Sequence, residues 1–177
     1  MSLITNYWPD PYGGGGMRII TNYWPDPRFA HADSWDDLSG CTASSSQTLN
    51  VSANIFPTLT LKSSYDGANW ASKIIDVPEG AKLVIACASD GIVTSSDCSV
   101  DIWSHDSSKR FVNVGLNGGV SDEFVAPSRI LVCFRAPNTA GKAKTVSRVF
   151  IGTKADYQAL LNLVPSGFLA GDLMPKD

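Results

Sequence analysis

Between residues 48 and 151 the chain alternates short apolar runs with stretches of Gly, Ser, Asn and Pro. Residues 73–89, KIIDVPEGAKLVIACAS, carry the strongest of these signals. Two apolar runs, Ile74–Val77 and Leu83–Ala88, flank Pro78-Glu79-Gly80, a turn sequence in which proline sets φ and glycine accepts a positive φ. The pattern predicts a central hairpin here. Its second strand is apolar at almost every position, so both of its faces should be buried. A second such run, Ile130–Phe134, is expected to share the same core.

The remaining runs read as strands of period two. Thr48–Ile55 places Leu49, Val51, Ala53 and Ile55 on one face, and Thr58–Lys62 turns Leu59 and Leu61 inward. Cys98–Ser104 turns Val100 and Ile102 inward, and Phe111–Leu116 does so with Val112, Val114 and Leu116. Val146–Ile151 closes the series. About eight short strands at this spacing predict an all-β fold, a β-sandwich closed as a jelly roll. No helical pattern alternates with the strands, which excludes a doubly wound α/β fold. One short C-terminal helix is expected after Thr153. That threonine is a cap with Asp156 three residues on, and Tyr157, Leu160, Leu161 and Val164 share a face before Pro165.

Composition narrows the function classes. At 177 residues, 44% hydrophobic and 18% charged, the chain supports one folded domain. A net charge of −3 with no basic run makes nucleic acid a poor partner. No apolar run approaches the roughly 20 residues that span a bilayer, so no membrane partner is expected. Cys41, Cys87, Cys98 and Cys133 form no C-x-x-C pair, which disfavours zinc. They read as buried free thiols, with a Cys87–Cys98 bridge as the alternative.

The N-terminus carries a duplication. Ile4–Pro11 and Ile20–Pro27 both read ITNYWPDP, separated by Tyr12, Gly13–Gly16 and the Met17-Arg18-Ile19 that opens the second copy. Four glycines behave as a flexible linker. Residues 1–16 therefore read as an added copy, 17–152 as the sandwich, and 153–177 as a helix and tail packed on it. The extra copy is expected to influence a homo-oligomeric state by docking on a neighbouring molecule.

Residues 22–35, NYWPDPRFAHADSW, cannot be helical with two prolines so close. Asn22, Pro25, Asp26, Pro27, Phe29 and Trp35 resemble the opening signature of carbohydrate-binding jelly-roll modules found in phage and prophage minor tail proteins. Phe168, Gly171, Asp172 and Pro175 resemble the ending seen after such modules. The resemblance implies a non-catalytic tail-protein domain that recognises a bacterial surface glycan, placed in a virion tail beside other tail-protein subunits. The alternative is a structural assembly domain with no sugar binding, in which outward residues such as Phe111 meet protein neighbours.

Catalysis has little to draw on. There are two histidines, His31 and His105, and no G-x-S-x-G elbow. A glycosidase would need two facing carboxylates, and Asp101 and Glu123 have no spacing that favours them. No cofactor is expected beyond a structural Ca2+, for which Asp33, Asp36 and Asp37 supply hard oxygen ligands. For sugar binding, alternation along residues 98–105 puts Asp101, Trp103 and His105 on the outer face. An aromatic ring flanked by polar groups suits the apolar face and hydroxyls of a sugar. Trp70, Asn69 and Tyr65 form a second candidate patch.

Overall fold

The computed structural model describes residues 4–9, 17–88, 99–115 and 119–164. In chain order the elements are β1 (Ile4–Pro9), β2 (Met17–Asn22), β3 (Asp37–Ser39), β4 (Cys41–Ser46), β5 (Thr58–Ser63), β6 (Trp70–Asp76) and β7 (Lys82–Ala88). They continue as β8 (Ser99–Ser104), β9 (Arg110–Gly115), β10 (Gly119–Val120), β11 (Phe124–Val125), β12 (Arg129–Arg135), β13 (Ala143–Gly152) and α1 (Lys154–Leu163). The chain is all-β, a β-sandwich of jelly-roll type with one short C-terminal helix. One sheet has the order β10-β7-β13-β5-β4, with β11 also on β7, and the other has β3-β6-β12-β8-β9. All pairings are antiparallel.

The inner faces meet in one core. Val100, Ile102, Ile130, Val132 and Phe134 come from the five-stranded sheet, and Leu59, Leu61, Leu83, Ile85 and Val146 from the other. Ile130–Phe134 thus shares a core with Leu83–Ala88, as the pattern predicts. An aromatic cluster of Trp24, Phe29, Trp35 and Phe134, with neighbouring ring centroids 5.2–6.3 Å apart, closes one part of it.

The expected central hairpin is not formed. β6 and β7 lie in different sheets, so residues 77–81 are an arch that carries the chain across the sandwich. The reason is local. Val77 N donates to Ser128 O, Gly80 N to Ala126 O and Ala126 N to Ala81 O, which ties the arch to the β11–β12 crossing. Gly80, at φ +76, makes the turn without strain. Thr48–Ile55 is also not a strand. Asn50 exchanges backbone hydrogen bonds with Ile55 and its side chain accepts from Ala53 N, closing a compact loop around a 3-10 turn at Val51–Ala53. A side chain that bonds its own backbone competes with the ladder that the alternation suggested.

In β9 the register slips. Ile102 pairs with Val112 and Trp103 with Arg110, so Phe111 is the extra residue of a bulge. It packs on the core and stacks on Phe124 at 5.7 Å, which removes it as an outward contact for a protein neighbour. Among the described residues Cys41, Cys87 and Cys133 are buried and free, and the alternative of a Cys87–Cys98 bridge rests on Cys98, outside them. Leu116, Cys98 and the closing motif Phe168, Gly171, Asp172 and Pro175 lie outside the described residues.

The outer face of the six-stranded sheet is covered over β7 and β13. Val84, Ala86 and Phe150 pack against Ile20 of β2 and against Ala159 and Leu160 of α1. Thr153 caps the helix by accepting from Asp156 N at 3.1 Å, as the sequence predicts. The same face contains a bulge in β13 between Ser147 and Phe150. The buried Asn22 side chain bridges it, donating to Val149 O and accepting from Ile151 N. The apolar run of β7 is therefore buried on both faces, by the sandwich on one and by β2 and α1 on the other.

Candidate functional site

Among the described residues, no helix lies on the outer face of the five-stranded sheet. The alternation of β6, β12 and β8 sends Trp70, Ser72 and Ile74, then Leu131, Cys133 and Arg135, and then Asp101 and Trp103 to this side. The register sets their order. Ile74, Leu131, Trp103 and Arg110 form one row across four strands, and Ser72, Cys133, Asp101 and Asn113 form the next. A groove of about 390 Å³ runs over this lattice, lined by Asp36, Asp37, Trp70, Ser72, Ile74, Trp103, His105, Ser107, Leu131, Cys133 and Arg135. That volume lies within the range of small-ligand sites, roughly 300–1,000 Å³.

Each wall is fixed by its own hydrogen bonds. Trp70 Nε1 donates to the Asp37 carboxylate at 2.7 Å, and Asp36 accepts from Ile74 N at 2.6 Å. Asp101 is fully buried beneath the groove. One of its oxygens accepts from Ser99 Oγ at 2.6 Å and the other from Arg135 Nε at 2.8 Å. The Arg135 guanidinium, held there, lies 5.8 Å from the centre of the Trp103 ring, and that of Arg110 lies 5.9 Å away. Both contacts are within cation–π range. Trp103 is half-buried and oriented before any ligand arrives.

The β8–β9 turn that carries His105 is equally set. Asp106 accepts from Ser104 Oγ at 2.5 Å, Ser108 Oγ at 2.8 Å and Ser108 N at 3.0 Å. These bonds from Ser104 and Ser108 hold its carboxyl well below the usual range. In the floor, burial pushes the Cys133 thiol up to about 12, which leaves it protonated and unreactive near neutrality.

The structure brings together five of the residues expected from sequence. Trp103, His105, Trp70, Asp36 and Asp37 all line the groove, so the tryptophans of the two separately predicted patches share one surface. Asp101 belongs to it as a buried support rather than as an exposed wall. Asn69 and Tyr65 do not line it. Asn69 is fully buried, and its amide donates to Tyr65 O, Gly67 O and Pro137 O, organising the loop before β6. Tyr65 is exposed beside Gly40, whose positive φ and missing Cβ make room for the ring and for Asn69.

Asp33, Asp36 and Asp37, the expected calcium ligands, are not gathered into a metal-holding group among the described residues. Asp36 and Asp37 are engaged with Ile74 N and Trp70 Nε1, and no group of three His, Cys, Asp or Glu suited to a metal occurs among the described residues. Arg135, Ser72, Ile74, Leu131 and Ser107 were not expected in the site. The strand pattern puts Arg135 and Leu131 on a face, but only the placement of β12 between β6 and β8 shows that this face joins the two tryptophans.

No family model matches the chain, and no curated protein matches it. Among solved structures, one similar chain is a family 61 carbohydrate-binding module in complex with β-1,4-galactotriose. It is 16% identical, covers 75% of this chain and 99% of its own, and has a TM-score of 0.45. Another is the C-terminal family 6 carbohydrate-binding module of a laminarinase from Zobellia galactanivorans. It is 10% identical, covers 66% of this chain and 94% of its own, and has a TM-score of 0.39.

Proposed function

We propose that the protein binds a glycan in the groove over β6, β12 and β8, without transforming it. The observation that carries this reading is that Trp70 and Trp103, distant in sequence, flank one groove whose polar groups are Asp36, Asp37, His105 and Arg135. Sugar rings present apolar C–H faces that stack on indoles, while their hydroxyls exchange hydrogen bonds with neighbouring carboxylates, guanidinium and imidazole. The bonds that fix Trp70 to Asp37 and Arg135 to Asp101 reduce the ordering cost of binding. An open groove of this kind holds few rings, so affinity per site is weak and gains from multivalent display.

The resemblance of residues 22–35 to tail-protein modules extends the proposal to a bacterial surface glycan, recognised from a phage or prophage tail. A domain that serves tail assembly alone would hold the same two tryptophans between chains.

The test is binding of the full chain to an array of bacterial surface glycans, singly and multivalently displayed, with Trp103→Ala and Trp70→Ala beside it. A stacked ring is worth about 0.5–1.5 kcal/mol beyond its buried area, so each substitution should weaken binding about tenfold with the fold intact. Binding to no glycan in either format, or binding indifferent to both substitutions, overturns the reading.

A further inference from the structure

The dock that receives Ile20–Pro27 is described in detail by its occupant. Ile20 is fully buried between α1 and β7. Asn22 accepts from Trp24 N and Ile151 N and donates to Val149 O. Tyr23 N donates to Ile151 O, and Trp24 enters the aromatic core with its Nε1 on Asp26 O. The Asp26 carboxylate then accepts from Ala30 N and His31 N. Anchors therefore fall at Ile20, Asn22, Trp24 and Asp26.

The same four side chains recur in the same order at Ile4, Asn6, Trp8 and Asp10, because Ile4–Pro11 repeats the octapeptide without change. Every anchoring contact named above is made by the octapeptide, so the two copies offer the dock the same anchors. The first copy already lies next to it. β1 pairs antiparallel with β2, Ile4 opposite Asn22 and Pro9 opposite Met17, in a two-stranded sheet of its own.

We infer that the dock has two alternative occupants in each molecule, Ile20–Pro27 and Ile4–Pro11, and that the first copy takes over when the second is damaged. In the exchanged state residues 12–27 become an insertion between Pro11 and Arg28. That insertion contains Gly13–Gly16, and loop-closure entropy grows only slowly with length. The second copy, which needs no insertion, holds the dock in the intact chain. The spare copy is tethered to the same molecule, so it outcompetes the copies of other molecules by effective concentration.

A set of full-length variants tests this. Asn6→Ala with Trp8→Ala should melt like the wild type. Asn22→Ala with Trp24→Ala should lose only part of the melting temperature. All four substitutions together should lose far more, because neither copy can then fill the dock. Hydrogen exchange at Ile151 N gives a local readout. This amide should stay protected in the second-copy variant and lose protection in the quadruple variant. Equal melting of those two variants, a second-copy variant that does not fold, or a rescue that depends on protein concentration would each overturn the inference.

Discussion

The outer faces of the two sheets began from the same sequence signal and ended differently. β7 reads KLVIACA and β12 reads RILVCFR, each apolar at five or more consecutive positions. In β7 the outward Val84 and Ala86 lie under Ile20, Ala159 and Leu160. In β12 the outward Leu131 and Cys133 floor a groove, with Trp70 and Trp103 on either side. A continuous apolar run therefore shows that a strand is central and apolar on both faces. It does not show whether its second face is covered by the chain itself or left for a ligand.

The covered face should answer most strongly to truncation. Leu160 is fully buried against Val84, Ala86 and Phe150. Leu160→Ala should lower stability by about 2–5 kcal/mol in urea unfolding, while glycan binding per folded molecule stays unchanged. A loss below about 1 kcal/mol would mean that the helix is not a working part of the core.

The open face holds one comparable liability, the buried Asp101. Arg135→Ala removes its charged partner and leaves the carboxylate with Ser99 alone. The expected cost is about 3 kcal/mol, the penalty for a buried charge that has lost its pair. Arg135→Ala with Asp101→Leu should recover most of it. Unfolding of the single and double variants checks this, and equal stability of the two would break the argument. Binding should stay weak in both, because Trp103 loses the guanidinium that orients it.

A thiol in the groove floor gives the open face a pH signature. Burial raises Cys133 from its ordinary value of 9.0 to about 12. Above pH 9 the unfolded chain releases this proton while the folded chain keeps it. Stability is therefore fully present below pH 9 and falls between pH 9 and about 12. One such group contributes a slope of up to about 1.4 kcal/mol per pH unit. Cys133→Ala should flatten that limb of the stability curve in part, since Cys41 and Cys87 are raised to about 11 and act in the same direction. An unchanged limb would show that Cys133 is not shielded as described.

Much of this was legible in the residues. Inward Val100 and Ile102, Leu59 and Leu61 and the Thr153 cap all follow from period, propensity and capping chemistry. The sandwich follows from strand count and spacing. What failed was set by groups distant in sequence. Nothing in Val77–Gly80 says that the amides of Val77 and Gly80 will meet Ser128 and Ala126 rather than fold one strand back on the other. The Trp70 and Trp103 patches could each be found on their own strands. That they share one groove depends on β12 lying between β6 and β8. Asp101 shows the converse limit. Alternation placed it on the outer face correctly, yet Ser99 and Arg135 take both of its oxygens and bury it there.

The smallest effect should come from the same truncation as the largest, moved to the other face. Leu131 lies in the row between Ile74 and Trp103 and is only partly buried, because no described residue covers the floor of the groove. Leu131→Ala removes side-chain atoms that already face solvent, and the space they leave joins the groove instead of forming a sealed cavity. The cavity part of the penalty therefore vanishes, and the expected loss is under about 1 kcal/mol. Binding should fall several-fold, since the floor recedes from a ligand held between the two tryptophans. Measured side by side, Leu160→Ala should shift unfolding and spare binding, and Leu131→Ala should do the reverse. A loss above about 2 kcal/mol for Leu131→Ala would mean that this face is covered in solution, as α1 covers the other one.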